Sequence, residues 1–380
     1  MLIPLSSIMK LIKTIMLFIF STTILLVAVY YLTVELYPSF GGDLTAAQKE
    51  QFKQHKNFKH GQFKNRRDVP EKLSFSKFFD LGYKYLTTEV KNGEPKNAFK
   101  NLTINPRDLI DFDGTRLYWF GHSTFLLQHK GTNILIDPMF GKVPAPLNFL
   151  GGKRFLEELP ISPEELPEIN YVLFSHDHYD HLDYASVLKL KDKVKWFITP
   201  LGLGNHLIRW GIEEHRIIEL NWWESKQFED FEFICTPAQH FSGRKLNNAQ
   251  QTLWSSWVIQ SNAINLYFSG DSGYDTHFKE IGEKYGPFDL SLLECGQYNK
   301  LWPDVHLFPE ETVKAGIDLK SKKIIPIHWG AFKLAMHPWN EPAIAVFNES
   351  QKKNINLQIP KIGEPIELDS TSSEMDFWWK

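Results

Sequence analysis

Cysteine is scarce in this sequence. Cys235 and Cys295 are too few for a disulfide framework and stand in no C-x-x-C pair, which argues against thiolate metal sites. Any metal must then be held by imidazole and carboxylate. A surplus of positive charge is also missing: 42 Lys and Arg against 45 Asp and Glu leave a formal net charge of -3, so no general basic surface is on offer and nucleic acid is not an expected partner. There is no internal repeat and no low-complexity block, which sets solenoids and biased tails aside. What remains is 380 residues, 43% hydrophobic and 23% charged, enough to bury a large core in one big domain or two modest ones.

Charge is also absent from one long N-terminal run. From Thr14 to Val34, "TIMLFIFSTTILLVAVYYLTV", no side chain is charged at neutral pH, and about 20 such residues suffice for a helix to cross a bilayer core. A cleaved signal peptide is the competing reading, with Lys10 and Lys13 as its basic region, but no clear small-x-small cleavage site follows. We therefore expect a single-pass membrane anchor over residues 1–37. Lysines flank the run on both sides (Lys10 and Lys13 before, Lys49, Lys53, Lys56 and Lys59 after), so the charge rule leaves its orientation open. The basic stretch from Lys49 to Asp68, interspersed with phenylalanines, reads either as a solvated connector or as a segment lying against anionic headgroups. We take residues 38–114 as the connecting segment and 115–380 as the catalytic domain.

From Arg116 the pattern is short apolar runs separated by turns. "RLYWF" precedes two runs joined at Lys130-Gly131-Thr132-Asn133, then "YVLFS" and "KWFIT" flank the helix-like "DYASVLKLK". Later runs end in His, Asp or Glu: "FEFICTPAQH", "INLYFSGD", "FDLSLLEC", "KIIPIHW". Mixed α/β domains carry their chemistry on loops at such strand ends. Directly after one run comes "SHDHYDHLD", in which His176, His178, Asp180 and His181 form H-x-H-x-D-H. On an extended loop alternate residues project to one side, so one segment can serve two metal ions. Imidazole and carboxylate without thiolate suit zinc best, with iron or manganese as alternatives, and further ligands must come from elsewhere; His240, Asp271 and His328 are the candidates at strand ends.

The order of these elements resembles the metallo-β-lactamase superfamily, whose fold is an αββα sandwich with its metals at one edge of two sheets; the resemblance spans about Arg116 to Pro342. Longer stretches, among them "WFGHSTFLL", "TPAQHFSGR", "FSGDSGYD" and "VHLFPEETVKAGIDLKSKKIIPIHWGAF", are similar to the branch of phospholipases D that hydrolyse N-acyl-phosphatidylethanolamine, and to their bacterial relatives. That resemblance implies two zinc ions, one on His176, His178 and His240, the other on Asp180, His181 and His328, with Asp271 bridging. It also implies that His306 lies near the substrate phosphate. The anchor, unneeded in the animal enzymes, points to a bacterial inner membrane.

The expected activity is therefore hydrolysis of a phospholipid phosphodiester. A lactonase of the ascorbate-phosphate type, a β-lactamase, and a membrane-tethered zinc-binding module without turnover are the competing functions. Asp137 in "ILIDP" and His122 in "FGHS" are candidates to orient a ligand, though a turn cap would explain either, and both stay outside the expected catalytic set. Glu294, in "ECGQY", departs from the apolar turn of the lipase type and is read either as a modifier of substrate choice or as a structural acid. Trp222, Trp223, Trp254, Trp257 and Trp329 are expected in the core, and the terminal "DFWWK" either meets lipid or frays.

Overall fold

In the computed structural model of the protein, residues 4–67, 82–84, 87–96, 102–110, 112–368 and 376–380 are described. Asp68 and part of the expected connecting segment lie outside them. The first element is helix α1, Leu5–Leu36, with no buried residue along its length. It is long and apolar enough to cross a membrane by length and composition. Helix α2 (Ala46–Phe52) follows, then a small hairpin of β1 (Phe58–Lys59) and β2 (Gln62–Phe63). Lys53, Lys56 and Lys59 of this basic stretch are exposed, as a solvated connector requires, but its phenylalanines are not. Phe52, Phe58 and Phe63 pack ring on ring at 4.8–5.7 Å and join the main core.

Two sheets make the body. The first contains β3 (Thr115–Trp119), β4 (Phe125–His129), β5 (Thr132–Ile136), β6 (Ile169–Leu173), β7 (Val194–Pro200) and β8 (Ile217–Leu220). The second contains β9 (Ser225–Gln227), β10 (Glu232–Thr236), β11 (Ser256–Gln260), β12 (Asn265–Phe268), β13 (Leu290–Glu294) and β14 (Ile324–Ile327). A last strand, β15 (Pro365–Glu367), returns to the first sheet, giving the order β15-β3-β4-β5-β6-β7-β8 beside β14-β13-β12-β11-β10-β9. In each sheet an antiparallel meander leads into parallel strands: β5 to β8 run parallel in the first and β12 to β14 in the second. The β4–β5 turn is the two residues Lys130 and Gly131, both at positive φ, as a tight hairpin requires.

Alternation along the strands sorts the side chains. Leu117, Trp119, Phe125, Leu127, Ile134 and Ile136 share the main core with Phe233, Trp257, Phe268 and Leu292 of the opposite sheet. Their neighbours Tyr118, Leu126 and Leu135 belong instead to a separate cluster with Val187 and Leu190 of the helix Tyr184–Leu190. Helices His277–Lys284, Pro309–Asp318 and Glu341–Lys353 accompany the second sheet, completing an αββα sandwich. Of the expected core tryptophans only Trp223 is half-buried rather than buried. The C-terminus does not fray: Trp379 is fully buried and Trp378 stacks on Trp329 at 5.5 Å.

Phe63 is fully buried in an aromatic trio, so Phe63→Ala should lower unfolding stability by about 3–5 kcal/mol, the usual penalty for emptying a buried phenylalanine site. A shifted denaturant midpoint measures it. An unchanged midpoint would mean that the hairpin is not part of the folded core.

Candidate metal centre

The parallel strands of both sheets end at the same edge, and the loops they release meet there. The loop after β6 begins with Ser175, whose backbone N–H donates to Asp137 Oδ1 (2.7 Å) and whose hydroxyl donates to Asp137 Oδ2 (2.5 Å). Asp137 directly follows the neighbouring strand β5 and is fully buried. The same carboxylate accepts from His181 Nδ1 at 2.7 Å, so one side chain holds both ends of the histidine-rich loop. Between them the chain turns, with His181 N and Leu182 N both donating to the His178 carbonyl.

These partners decide which imidazole nitrogens carry lone pairs. The hydrogen of Ser175 Oγ goes to Asp137, so the 2.9 Å contact with His176 needs a proton on His176 Nδ1. His240 Nδ1 faces the Val305 carbonyl at 2.9 Å and must donate as well. Both rings are left with a bare Nε2, and both converge on His178 Nδ1, at 2.9 and 3.1 Å, with Asp271 Oδ2 3.8 Å from each. One proton on His178 could satisfy only one of them. A cation at that point satisfies all.

A second group adjoins the first. His181 Nε2 lies 3.1 Å from Asp271 Oδ1 and 3.6 Å from Asp180 Oδ2, and His328 lies 3.0 Å from Asp271 Oδ1 through Nδ1 and 4.0 Å from Asp180 Oδ2 through Nε2. His181 Nε2 and Asp271 Oδ1 are buried and make no hydrogen bond among the described residues. Orphaned buried polar atoms of this kind mark a missing partner. In each group a set of nitrogen and oxygen atoms lies within 4.8 Å of one another: His176, His178, His240 and Asp271 in one, His122, Asp180, His181 and His328 in the other. Donors of this kind and spacing fit a pair of metal ions.

The electrostatics point the same way. Burial holds His176, His240 and His328 well below the ordinary histidine value and takes His178 down to about 4, so these rings stay neutral and available. Burial also depresses His181, but Asp271 and Asp180 outweigh it and hold that ring well above its usual range. Burial, opposed by His181 and reinforced by Glu294, pushes the Asp271 carboxyl up to about 7. The pocket calls for added positive charge beside its carboxylates. Binding a metal would meet that need by displacing protons.

All the site residues expected from the sequence therefore meet at this edge, and others join them. His122 Nε2 donates to Asp180 Oδ2 at 2.9 Å, its ring kept neutral because burial lowers it to about 4. Asp137 acts as the loop's clasp, beyond any turn cap. Glu294, at the end of β13, is fully buried; its Oε2 accepts from Ser272 N at 2.6 Å and its Oε1 contacts His306 Nδ1. Burial raises the Glu294 carboxyl and lowers the His306 imidazole. The segment carrying His306 sits so close to the loop after Asp271 that a Cβ on Gly273 would lie 1.9 Å from the Asp304 carbonyl oxygen. Asn65, unforeseen, pairs with both backbone groups of His240, at 2.8 and 3.1 Å. Asp177, inside the motif, faces away and holds His206, Gly243 and Thr252. The backbone is forced here: Asp137, His122 and His328 all adopt positive φ, rare for such residues and typical of functional sites.

A two-sheet sandwich whose strand ends gather histidines and aspartates on one rim defines a metallo-β-lactamase-fold hydrolase. Residues 132–329 match the beta-lactamase superfamily domain. An uncharacterised protein of Mycobacterium tuberculosis is 40% identical over 274 residues, which cover 70% of this chain and 73% of that one. The N-acyl-phosphatidylethanolamine-hydrolyzing phospholipase D 1 of Caenorhabditis elegans is 36% identical over 247 residues, 62% of this chain and 68% of that one. The isothiocyanate hydrolase from Delia radicum gut bacteria has the same fold at TM-score 0.54 and 21% identity, covering 66% of this chain and 98% of that one. The chain belongs to the metallo-β-lactamase superfamily, and its homologues include N-acyl-phosphatidylethanolamine-hydrolysing phospholipases D.

Asp137→Asn keeps the size of the side chain and removes the charge that orients His181. Metal affinity, measured against a competing chelator, should fall about 10–100-fold, as it does when partners of metal-bound histidines are lost. Unchanged affinity would reduce Asp137 to a fold residue.

Proposed function

We propose that the protein is a membrane-anchored dinuclear zinc phosphodiesterase of the phospholipase D type, acting on N-acyl-phosphatidylethanolamine-like lipids. One observation carries this reading: Asp271 is shared between two convergent donor groups, with His306 on their rim. Similarity to an enzyme bearing that lipid in its name supports the substrate class. Helix α1 is read as the single-pass anchor that brings the site to lipid.

In this reading His176, His178 and His240 hold one ion, Asp180, His181 and His328 the other, and Asp271 serves both. Two zinc ions, when bound, supply the Lewis acidity that makes water nucleophilic near neutral pH and neutralises phosphate charge. Iron or manganese would do so through the same donors, and metal analysis of the purified protein separates them.

The chain's own residues do the rest. Asp271 orients the attacking water, whose oxygen bonds to phosphorus as the phosphorus–oxygen bond to the departing alcohol breaks. His306 is held through Nδ1 by Glu294, which leaves Nε2 to meet the substrate phosphate. From there it donates to a phosphoryl oxygen or supplies the proton that the leaving alkoxide needs. The neighbouring rings of His240 and His328, at 5.2 and 5.3 Å, keep that imidazole beside the metal groups.

His306→Ala should retain both metals while turnover of bis-p-nitrophenyl phosphate falls about a hundredfold or more, the usual loss when a transition-state donor is removed. Equal loss of metal and activity would make His306 a ligand. Two bound zincs with no phosphodiester turnover in the unsubstituted protein would favour a binding module, and turnover of a phosphorylated lactone alone would favour the lactonase.

The Glu294–His306 contact predicts a graded series. Glu294→Gln, still able to donate to Nδ1, should lower kcat less than Glu294→Ala, with KM for the soluble diester little changed in either. Equal loss in both variants would assign Glu294 to the fold alone.

A further inference from the structure

Helix α1 is not a loose tether. Arg209 donates to the carbonyls of Val34 and Glu35 at 3.2 and 3.0 Å, in the last turn of the helix, and to that of Gly41 at 3.1 Å. Such terminal carbonyls have no partner within a helix and need one from outside. Trp210 Nε1 donates to the Pro38 carbonyl at 2.7 Å, and Arg244 donates twice to that of Ser39, at 3.1 and 2.7 Å. Lys245 pairs with Asp43 at 2.7 Å. The exit of the helix is thus clamped by the helix Gly204–Arg209 with its neighbour Trp210, and by the loop 241–248.

That loop reaches further up the helix. Leu246 N donates to Tyr30 Oη at 2.9 Å, and Tyr30 lies four residues inside the uncharged run that ends at Val34, about 6 Å along the axis. Tyr30, Tyr31 and Tyr37 mark this end of the run, as aromatic side chains do where a membrane helix meets the headgroups. Leu246 is 85% exposed at that level. Ser39 Oγ donates to the Pro146 carbonyl at 2.6 Å, which ties a second loop to the helix exit; that loop continues to Phe149, 77% exposed, and to exposed Leu150.

The 241–248 loop also belongs to the metal centre. Phe241 is partly exposed, and its ring lies 4.6 Å from that of His178 and 4.7 Å from that of His240. Arg244 donates to the carbonyls of Asp177 and Leu182, on either side of the histidine-rich turn, at 2.6 and 2.9 Å.

Resting on the reading of the protein as an anchored lipid hydrolase, we propose that Leu246, with Phe149 and Leu150, inserts into the surface of the same bilayer leaflet that α1 leaves. Phe241 then stands as the apolar threshold between that leaflet and the metals. The occupant of this exposed apolar face is lipid, because the contact between Leu246 and Tyr30 fixes the loop tip at a depth that the helix itself defines. A lipid would reach the site by moving out of the leaflet beside the helix, with little passage through water.

Both native cysteines are fully buried, so an introduced surface cysteine can be labelled selectively. Leu246→Cys and, as a control within α1, Leu26→Cys are labelled with an NBD fluorophore and reconstituted into phosphatidylcholine vesicles containing nitroxide-labelled lipid. Quenching at both positions is expected. In vesicles carrying N-acyl-phosphatidylethanolamine, Leu246→Asp should lower lipid turnover about tenfold or more, the factor that loss of one buried leucine side chain implies. Its turnover of bis-p-nitrophenyl phosphate should match the unsubstituted protein. Quenching at position 26 but not 246 would keep the anchor and overturn the inserted loop. A water-shielded but unquenched label at 246 would assign the face to a protein partner and overturn it equally. No quenching at either position would reject the anchor, and the proposal with it. Quenching at both without hydrolysis of vesicle lipid by the unsubstituted protein would uphold the inserted loop and reject the lipid-hydrolase reading.

Discussion

The carboxylate of Asp137 is the interaction on which the rest of the site depends. Its two oxygens accept from Ser175 N, Ser175 Oγ and His181 Nδ1, which fixes the start and the end of the histidine-rich loop against a rigid strand end. Through Ser175 it also sets the tautomer of His176, and through His181 Nδ1 it aims Nε2 at Asp271. One buried side chain thereby places the Nδ1 proton of two imidazoles before any metal arrives. Its own backbone is held in the left-handed region, a strain the surrounding packing must sustain.

Around that clasp the two sheets contribute unequally. The first supplies a continuous loop in which neighbours in sequence become neighbours in space. The second supplies isolated residues that close or follow β10, β12, β13 and β14 in turn: His240, Asp271, Glu294 and His328. They align because strands of one sheet finish at a common edge, and because the sheets are joined there by backbone hydrogen bonds between His122 and Trp329 and between His328 and His122. Glycines permit the last close approaches. A Cβ on Gly296 would lie 2.1 Å from the His328 carbonyl oxygen, so the loop after β13 could not pack there with any other residue unless the backbone moved.

Much of this was legible in the sequence, for physical reasons. The strands from Thr115 to Ile327 are short apolar runs bounded by turns, and the His, Asp and Glu residues that close or follow β5, β6, β10, β12, β13 and β14 sit at the chemical edge, so H-x-H-x-D-H and the later His and Asp residues could be read off directly. Less legible were contacts between distant segments. Nothing in the local sequence of Asn65 says that it pairs with the backbone of His240, and a stretch rich in lysine hides the three phenylalanines that it buries. The C-terminal tryptophans read as an end that either met lipid or frayed, because a terminus reveals nothing about what it docks against. Glu294 stood out only as a departure from the lipase pattern. Its contact with His306 needed the geometry of two loops.

The pairing of Asn65 with His240 has a bearing on how the protein is born. The partners are 175 residues apart, and the donors continue to His328 near the end of the second sheet. While the ribosome is still adding the second sheet, the histidine-rich loop already exists but half its companions do not. Contacts of such wide sequence separation close late in folding. The nascent chain would therefore expose clustered imidazoles to whatever metals surround it before the finished pocket can discriminate among them, so selection of the resident ion falls to the last step of maturation.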